Sequence, residues 1–372
     1  MWELSYKLST LSYVLLFIAG LCTSSYFLFV HDVHAEQSSN GQASFTITKN
    51  FIEINSTTEG TIQTLNIPKA SLLFDVIGHT DQNGNLLSIS VQRKPELQNL
   101  YKDLELSKGS HDAVFVYPSF TQAAYEKGGF YDFYRKNCDS SCLTVPIPTS
   151  VNGFQSSSIF GAWSLKLLNY SYVKDEDIDK NPDILKPYKR VIVLHNEYVT
   201  KKEFDAITSH PDVVFLYPNA LYAEVKADYS SNTITLVRGH DYPDSTVKNG
   251  FGWQYDNSRF EYNVDCDNWN FYRSGEYTML NCYPEFKILH AEQLIRSLQS
   301  KDPTDLLDDI NNWLRYPNDP SVIAELLSDY DISGKHVPHW VSNSGVLVIN
   351  NEISKTDFAH LLKYLYDKNM LN

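Results

Sequence analysis

Residues 190–225, RVIVLHNEYVTKKEFDAITSHPDVVFLYPNALYAEV, decide how this chain is read. Val191 to Leu194 is a short β-branched and aliphatic run, the composition of a strand buried on both faces of a parallel sheet. Thr200 and Glu203 then have the spacing of a capping box, with Val199 and Phe204 placed as its hydrophobic staple, so a helix is predicted to begin there. Pro211 ends it, and Val213 to Leu216 supplies a second buried run. The unit is therefore β-α-β with a right-handed crossover. In such sheets ligands sit beyond the carboxyl ends of the strands, which here carry His195, Glu197, Tyr198, Asn219, Tyr222 and Glu224.

The 372 residues are enough for two or three domains with a full-sized core. A formal charge of −14, without a cluster of Lys and Arg, excludes a phosphate-binding surface and hence a nucleic-acid partner. Residues 1–35 read as a leader. Lys7 precedes an apolar segment, and Val33-His34-Ala35 offers a small-residue cleavage site, so a signal peptide is expected. The alternative is an uncleaved anchor, because residues 11–30 approach the ~20 needed to cross a bilayer. Both place the bulk of the chain outside the cytoplasm, secreted or anchored.

Beyond Cys22 in the leader, Cys138, Cys142, Cys266 and Cys282 form an even set, which in an oxidising compartment predicts two disulfides. The local pairs, 138 with 142 and 266 with 282, are favoured among three connectivities. A four-thiolate zinc site is the alternative, although the spacing is not that of a zinc ribbon.

Residues 36–46 are small and polar and read as a linker. Residues 47–108 show short strands with turn signals and predict a small β-domain of sandwich type. Sequons at Asn55 and Asn169 fit an exported glycoprotein. An α/β domain is expected over 110–285. Its strand ending VFVYPS at 114–119 nearly repeats VFLYPN at 214–219, which suggests equivalent places in one sheet. Phe130, Phe133 and Tyr134 have helical spacing and read as core. Residues 243–285, including GFGWQYDNSRFEYNVDCDNWNFYRSGEYTMLNCYP at 250–284, are dense in aromatic, Asp and Asn residues. They predict a disulfide-stapled lid whose Trp253 and Trp269 either face a glycan, peptide or surface-protein ligand or plug the lid onto the sheet. Residues 286–372 read as a helical module.

The run VIVLHNEYVT, a helix, then VVFLYPNA is similar to the class I glutamine amidotransferase-like fold, and more narrowly to the large subunit of N,N-dimethylformamidase. That resemblance implies a doubly wound, mainly parallel α/β sheet. Amidotransferases carry a nucleophilic cysteine on the turn that corresponds to Asn219-Ala220, and no cysteine stands there. The dimethylformamidase-like enzymes bind iron through tyrosines and a glutamate, which by resemblance points to Tyr198, with Tyr222 and Glu224 assigned from position. VPHWVSNSGVLVINNEISKTDFAHLLKYLYDKN, at 337–369, is similar to a helical module of exported archaeal proteins. It carries no chemistry.

The residues themselves offer a further constellation: His195, Glu197, His240 and Asp241 all follow strand ends, and histidine with carboxylate can act as general base or hold a metal such as iron or zinc. The same histidines could simply cap strands. No Gly-rich phosphate loop, G-x-S-x-G elbow or H-E-x-x-H motif is present. Two functions are therefore expected in competition: a non-catalytic scaffold that binds a glycan, peptide or surface protein, and a metal-assisted hydrolase of amide C–N bonds.

Overall fold

The computed structural model describes residues 33–38, 42–47, 50–58, 61–80, 86–149, 158–266 and 269–304. The expected signal or anchor up to residue 32, and the module-like sequence at 337–369, lie outside the described residues, while the expected cleavage site, Val33-His34-Ala35, falls in the first strand. The first strands are β1 (Val33–Ser38), β2 (Gln42–Ile47), β3 (Phe51–Thr58) and β4 (Thr61–Pro68), an antiparallel meander in that order, followed by the hairpin β5 (Phe74–Thr80) and β6 (Leu86–Arg93). Residues 36–46, expected to be a linker, thus fall largely within β1 and β2. A ladder is held by backbone groups and does not require apolar side chains.

After α1 (Gln98–Leu104) come β7 (Ala113–Tyr117), α2 (Ser119–Tyr125), α3 (Phe130–Tyr134), β8 (Thr144–Pro146), α4 (Ile159–Leu167), β9 (Ser171–Lys174) and α5 (Asp175–Lys180). The segment read first supplies β10 (Arg190–Val193), β11 (Tyr198–Val199), α6 (Lys201–Thr208) and β12 (Val213–Phe215). Then follow β13 (Ala223–Asp228), β14 (Thr233–Arg238), β15 (Phe271–Ser274), β16 (Tyr277–Leu280) and α7 (Glu292–Gln299). The main sheet has six strands in the order β15-β16-β12-β10-β7-β9, all parallel except β15. Its parallel strands run 2-1-3-4-5 by chain position, one of the two common doubly wound orders, whose switch point lies between β7 and β10. The chain is therefore an α/β protein.

Alternation explains the continuous apolar runs. Phe115, Tyr117, Ile192, Leu194, Val214 and Leu216 pack on one face with Leu165 of α4 and with Leu294, Ile295 and Leu298 of α7. Val114, Val116, Val191, Val193, Val213 and Phe215 pack on the other with Ile178 of α5 and Ile207 of α6. Each such buried side chain contributes ~1.5–3 kcal/mol. Ile52, Ile67, Leu72, Phe74, Val76 and Ile89 join the α4/α7 core, so the β-segment expected to stand alone shares its core with the α/β sheet. Residues 286–304 likewise belong to this body and not to a separate module. The repeated Tyr-Pro endings do occupy one sheet, on either side of β10, and both tyrosines are structural: Tyr117 donates to Gln122 and Tyr217 to Glu285.

Both expected disulfides form, Cys138 with Cys142 and Cys266 with Cys282. The second staples a segment whose end is not a lid: β15 and β16 lie within 243–285 and form the sheet's edge. Asn169 spends its side-chain nitrogen, the atom a glycan would need, on Glu105 at 3.0 Å. Among the described residues no helix is long and apolar enough to cross a membrane.

Arg190 fastens α7 to the sheet. It is buried, donates to the carbonyls of Leu298, Ser300 and Lys301 at 2.8, 2.6 and 3.1 Å, and pairs with Asp212 at 3.0 Å. Arg190→Ala is expected to cost roughly 2–4 kcal/mol, because three carbonyls at the end of a helix lose their donor. Arg190→Lys should recover little, since an ammonium cannot reproduce the fork. Calorimetry reads both, and an unchanged Tm in Arg190→Ala would remove Arg190 from this role.

Candidate functional site

The switch point between β7 and β10 is where the polar side chains gather. From β10 the chain runs through Leu194, His195, Asn196 and Glu197, all buried, into β11. The Leu221 N–H donates to Asn196 O at 2.8 Å, and the Tyr222 and Ala223 N–H groups both donate to Glu197 O at 2.9 Å. This fixes the backbone beneath Glu197.

The carboxylate of Glu197 collects partners from four elements. Tyr125 at the end of α2 donates to Oε2 at 2.6 Å, Tyr131 of α3 to Oε1 at 3.1 Å, and Asn219 Nδ2 to Oε1 at 3.0 Å. His240 Nε2 lies 2.5 Å from Oε1, an ion-pair contact whose angles fall outside hydrogen-bond geometry. Asn219 sits in the left-handed region at φ 58°, which asparagine tolerates, and its N–H donates to Asn257 Oδ1 at 3.0 Å. His240 is delivered by a turn in which Gly239, His240 and Asp241 have φ of 124°, 51° and 63°. Only glycine fits at 239, because a Cβ there would lie 2.7 Å from that of Ala223. The His240 ring is surrounded by Tyr222, Tyr134, Tyr198 and Tyr131, with centroids at 4.6, 5.6, 5.6 and 6.4 Å.

Electrostatics divide the site. Burial pushes Glu197 upward, but the charge of His240 and the Tyr125 hydroxyl outweigh it and hold Glu197 below the usual carboxylate range. Burial pushes His195 down to about 4, so its ring is neutral at pH 7. Glu261 goes the other way, to about 8, first through burial and then through the charge of Glu197, with Asp256 adding to it. Its carboxyl bonds the Asn219 side chain, so one amide contacts both glutamates. Burial and the charge of Asp256 lift Tyr222 to about 12.

Behind this site lies a second acidic cluster. Asp175 accepts from Phe120 N and Asn196 Nδ2 at 2.6 Å each and from Ser119 at 3.3 Å, and it faces Glu203. Both are fully buried: Asp175 is pushed up to about 7, and Glu203 well above its ordinary value by burial and then by the charge of Asp175.

Of the residues singled out in the sequence, His195, Glu197, Tyr198, Asn219, Tyr222 and His240 come together. Asp241 does not: it faces solvent and pairs with Lys248. Trp269 is 2% exposed and packs on Phe271, while Trp253 is half-buried among Phe204, Phe215, Tyr255 and Tyr277. Trp269 thus plugs the structure, and Trp253 packs its ring on the sheet's own aromatics. The iron set implied by resemblance does not fit. Tyr198 is in register with Ala223 and shares its core, whereas Glu224 is in register with Val199, and successive side chains of a strand point to opposite faces. Among the described residues no three His, Cys, Asp or Glu side chains converge to hold a metal, zinc included.

Tyr125, Tyr131 and Glu261 were not singled out in the sequence. Tyr125 and Tyr131 follow β7, so the strand-end rule that pointed to 195–198 applies to them equally. Glu261 lies in a loop without periodicity and has no such signal. No protein-family model matches the chain, and no curated protein matches it.

Proposed function

We propose that the chain is an exported hydrolase of amide C–N bonds, on an amidotransferase-like fold, in which His240 is the general base and Glu197 holds it in place. The observation that carries this reading is the 2.5 Å contact between His240 Nε2 and a buried, ionised Glu197 at the switch point of a parallel sheet. With Nε2 set against the Glu197 carboxylate, Nδ1 is the ring nitrogen assigned the role of base. No cysteine stands at the Asn219 turn and the described cysteines are joined in disulfides, so the nucleophile is water. Water adds to the amide carbon as its proton passes to His240 Nδ1, and that proton goes to the departing nitrogen as the C–N bond breaks. Two disulfides support an oxidising, extracytoplasmic setting.

The tyrosine rings around His240 also favour a second reading, a scaffold that binds a glycan, peptide or surface protein without chemistry. The full chain, assayed on a panel of acyl amides by release of free amine, separates the two. His240→Ala and Glu197→Gln are each expected to lower kcat/KM by at least ~100-fold with the fold intact. Hydrolysis that survives in His240→Ala overturns the catalytic reading, and glycan binding without any hydrolysis supports the scaffold.

A further inference from the structure

We propose that the Cys138–Cys142 disulfide is a reducible clasp on the site: a dithiol reductant that opens it frees α3 and takes Tyr131 and Tyr134 away from Glu197 and His240. The consequence for catalysis rests on the reading of His240 and Glu197 as the working pair of a hydrolase.

The clasp stands between the two halves of the site. On one side is α3, from which Tyr131 donates to Glu197 Oε1 at 3.1 Å and the Tyr134 ring lies 5.6 Å from that of His240. On the other side, Cys142 is followed by Leu143 and Val145, both buried in one core with Phe130 and Tyr198. Val145 belongs to β8, which pairs with β14 through Ile234, and β14 ends at Arg238, just before the turn that carries His240. The disulfide closes the bend between the helix that bears the two tyrosines and the sheet that leads to the histidine.

Alone, α3 is too short to hold itself. It has 5 residues, well below the length at which a helix is stable in water. Phe130, fully buried, anchors its start. Beyond Tyr134 the chain turns at Lys136, with φ 61°, and up to Leu143 only Cys142 is buried. The hydrogen bonds across this bend are short-range: Lys136 N–H to Phe133 O at 2.9 Å, Asn137 N–H to Asp132 O at 2.9 Å, and Cys142 N–H to Asp139 O at 3.2 Å. Exposed backbone bonds of this kind open at little cost. The covalent link therefore keeps the far end of α3 in place.

The two disulfides differ in reach and in weight. Cys266 and Cys282 are both 0% exposed within the main core, whereas Cys138 is half-buried between the exposed residues Asn137 and Asp139. A cross-link stabilises more the longer the loop it closes, and the separations here are 4 and 16 residues. Opening the first is thus the easier attack and the smaller loss to the fold. A thiolate of the reductant attacks Cys138 Sγ, the S–S bond breaks, and Cys142 leaves as a thiolate that takes a proton from water. The second thiolate of the reductant then attacks the mixed disulfide. Cys138 leaves in the same way, and the dithiol, having supplied two electrons, ends as a disulfide.

The test is titration of the full chain with dithiothreitol, followed on the same samples by alkylation with peptide mass spectrometry and by hydrogen–deuterium exchange. We expect Cys138 and Cys142 to be alkylated while Cys266 and Cys282 stay joined. Amide exchange over residues 131–137 should speed at least ~10-fold, with the circular dichroism of the fold retained. Amide hydrolysis should fall at least ~10-fold in the same step and return on reoxidation. Cys138→Ser combined with Cys142→Ser should be slow from the start and indifferent to dithiothreitol. Opening of both disulfides together, or unchanged exchange over 131–137 after selective opening, overturns the proposal. The two readings fail separately. If His240→Ala abolishes hydrolysis but the reduced wild-type chain keeps its full rate, the hydrolase stands and the clasp falls. If the wild-type chain cleaves no amide and exchange still rises, the clasp on α3 stands and the hydrolase falls.

Discussion

Replacing Glu197 by alanine is expected to lower the midpoint of thermal unfolding by roughly 10 °C, the largest effect of any single substitution in the site. Tyr125, Tyr131 and Asn219 lose their acceptor and His240 its counter-charge at once, and each comes from a different element of the fold. Removing one partner of a buried charged network costs ~3–5 kcal/mol, because what remains is desolvated and unpaired. Glu197→Gln should cost less, since Oε1 keeps its acceptor role while the amide nitrogen faces the Tyr125 hydroxyl, which can turn to accept. The two variants thus separate loss of volume and acceptors from loss of charge. Differential scanning calorimetry at pH 7 measures both. A shift of less than about 2 °C in Glu197→Ala would mean that these partners find water instead, and that Glu197 is not what holds the site together.

How much of this was legible differs from element to element. The run 191–194 announced a doubly buried strand because both faces of β10 are covered by helices, so nothing in it needs to alternate. Thr200 does cap α6, accepting the Glu203 N–H at 3.2 Å. The second half of the expected capping box fails. Glu203 turns inward to Asp175, a residue on another helix, and no local spacing can reveal that. The same limit hid Glu261, whose importance comes from Glu197 and Asn219 arriving beside it through tertiary contacts. Side chains placed by strand ends were readable; those placed by loops folding over the strand ends were not. The role of the tryptophans stayed open for a related reason. Composition marks 243–285 as aromatic, but only packing tells whether an aromatic ring faces a ligand or its own sheet.

Stability of the folded chain is expected to fall as pH rises from about 5 to about 8, against the usual trend for carboxylates. Asp175, Glu261 and Glu285 are pushed up to about 7, 8 and 8, and Glu203 well above its ordinary value, in each case chiefly by burial. In the unfolded chain the same groups titrate near 4. A group whose folded pKa is raised contributes stability that is complete below the unfolded value and is lost as pH climbs through the folded one. Between those limits the native state binds more protons than the unfolded state, so the slope of unfolding free energy against pH is negative. His195 acts in the opposite sense. Its folded pKa, lowered to about 4 by burial, makes protonation of the unfolded chain destabilising below about 6.5. Four carboxyls against one imidazole leave the maximum on the acid side, near pH 5 to 6, with several kcal/mol lost by pH 8.5. Guanidinium unfolding at pH 5.5, 7 and 8.5 reads the effect as a falling midpoint. Glu203→Gln removes one of the four raised carboxyls while keeping its shape, so the decline should flatten in that variant. A midpoint that stays level or rises towards pH 8.5 would mean that the buried carboxyls ionise freely, and that water or a counter-ion reaches them.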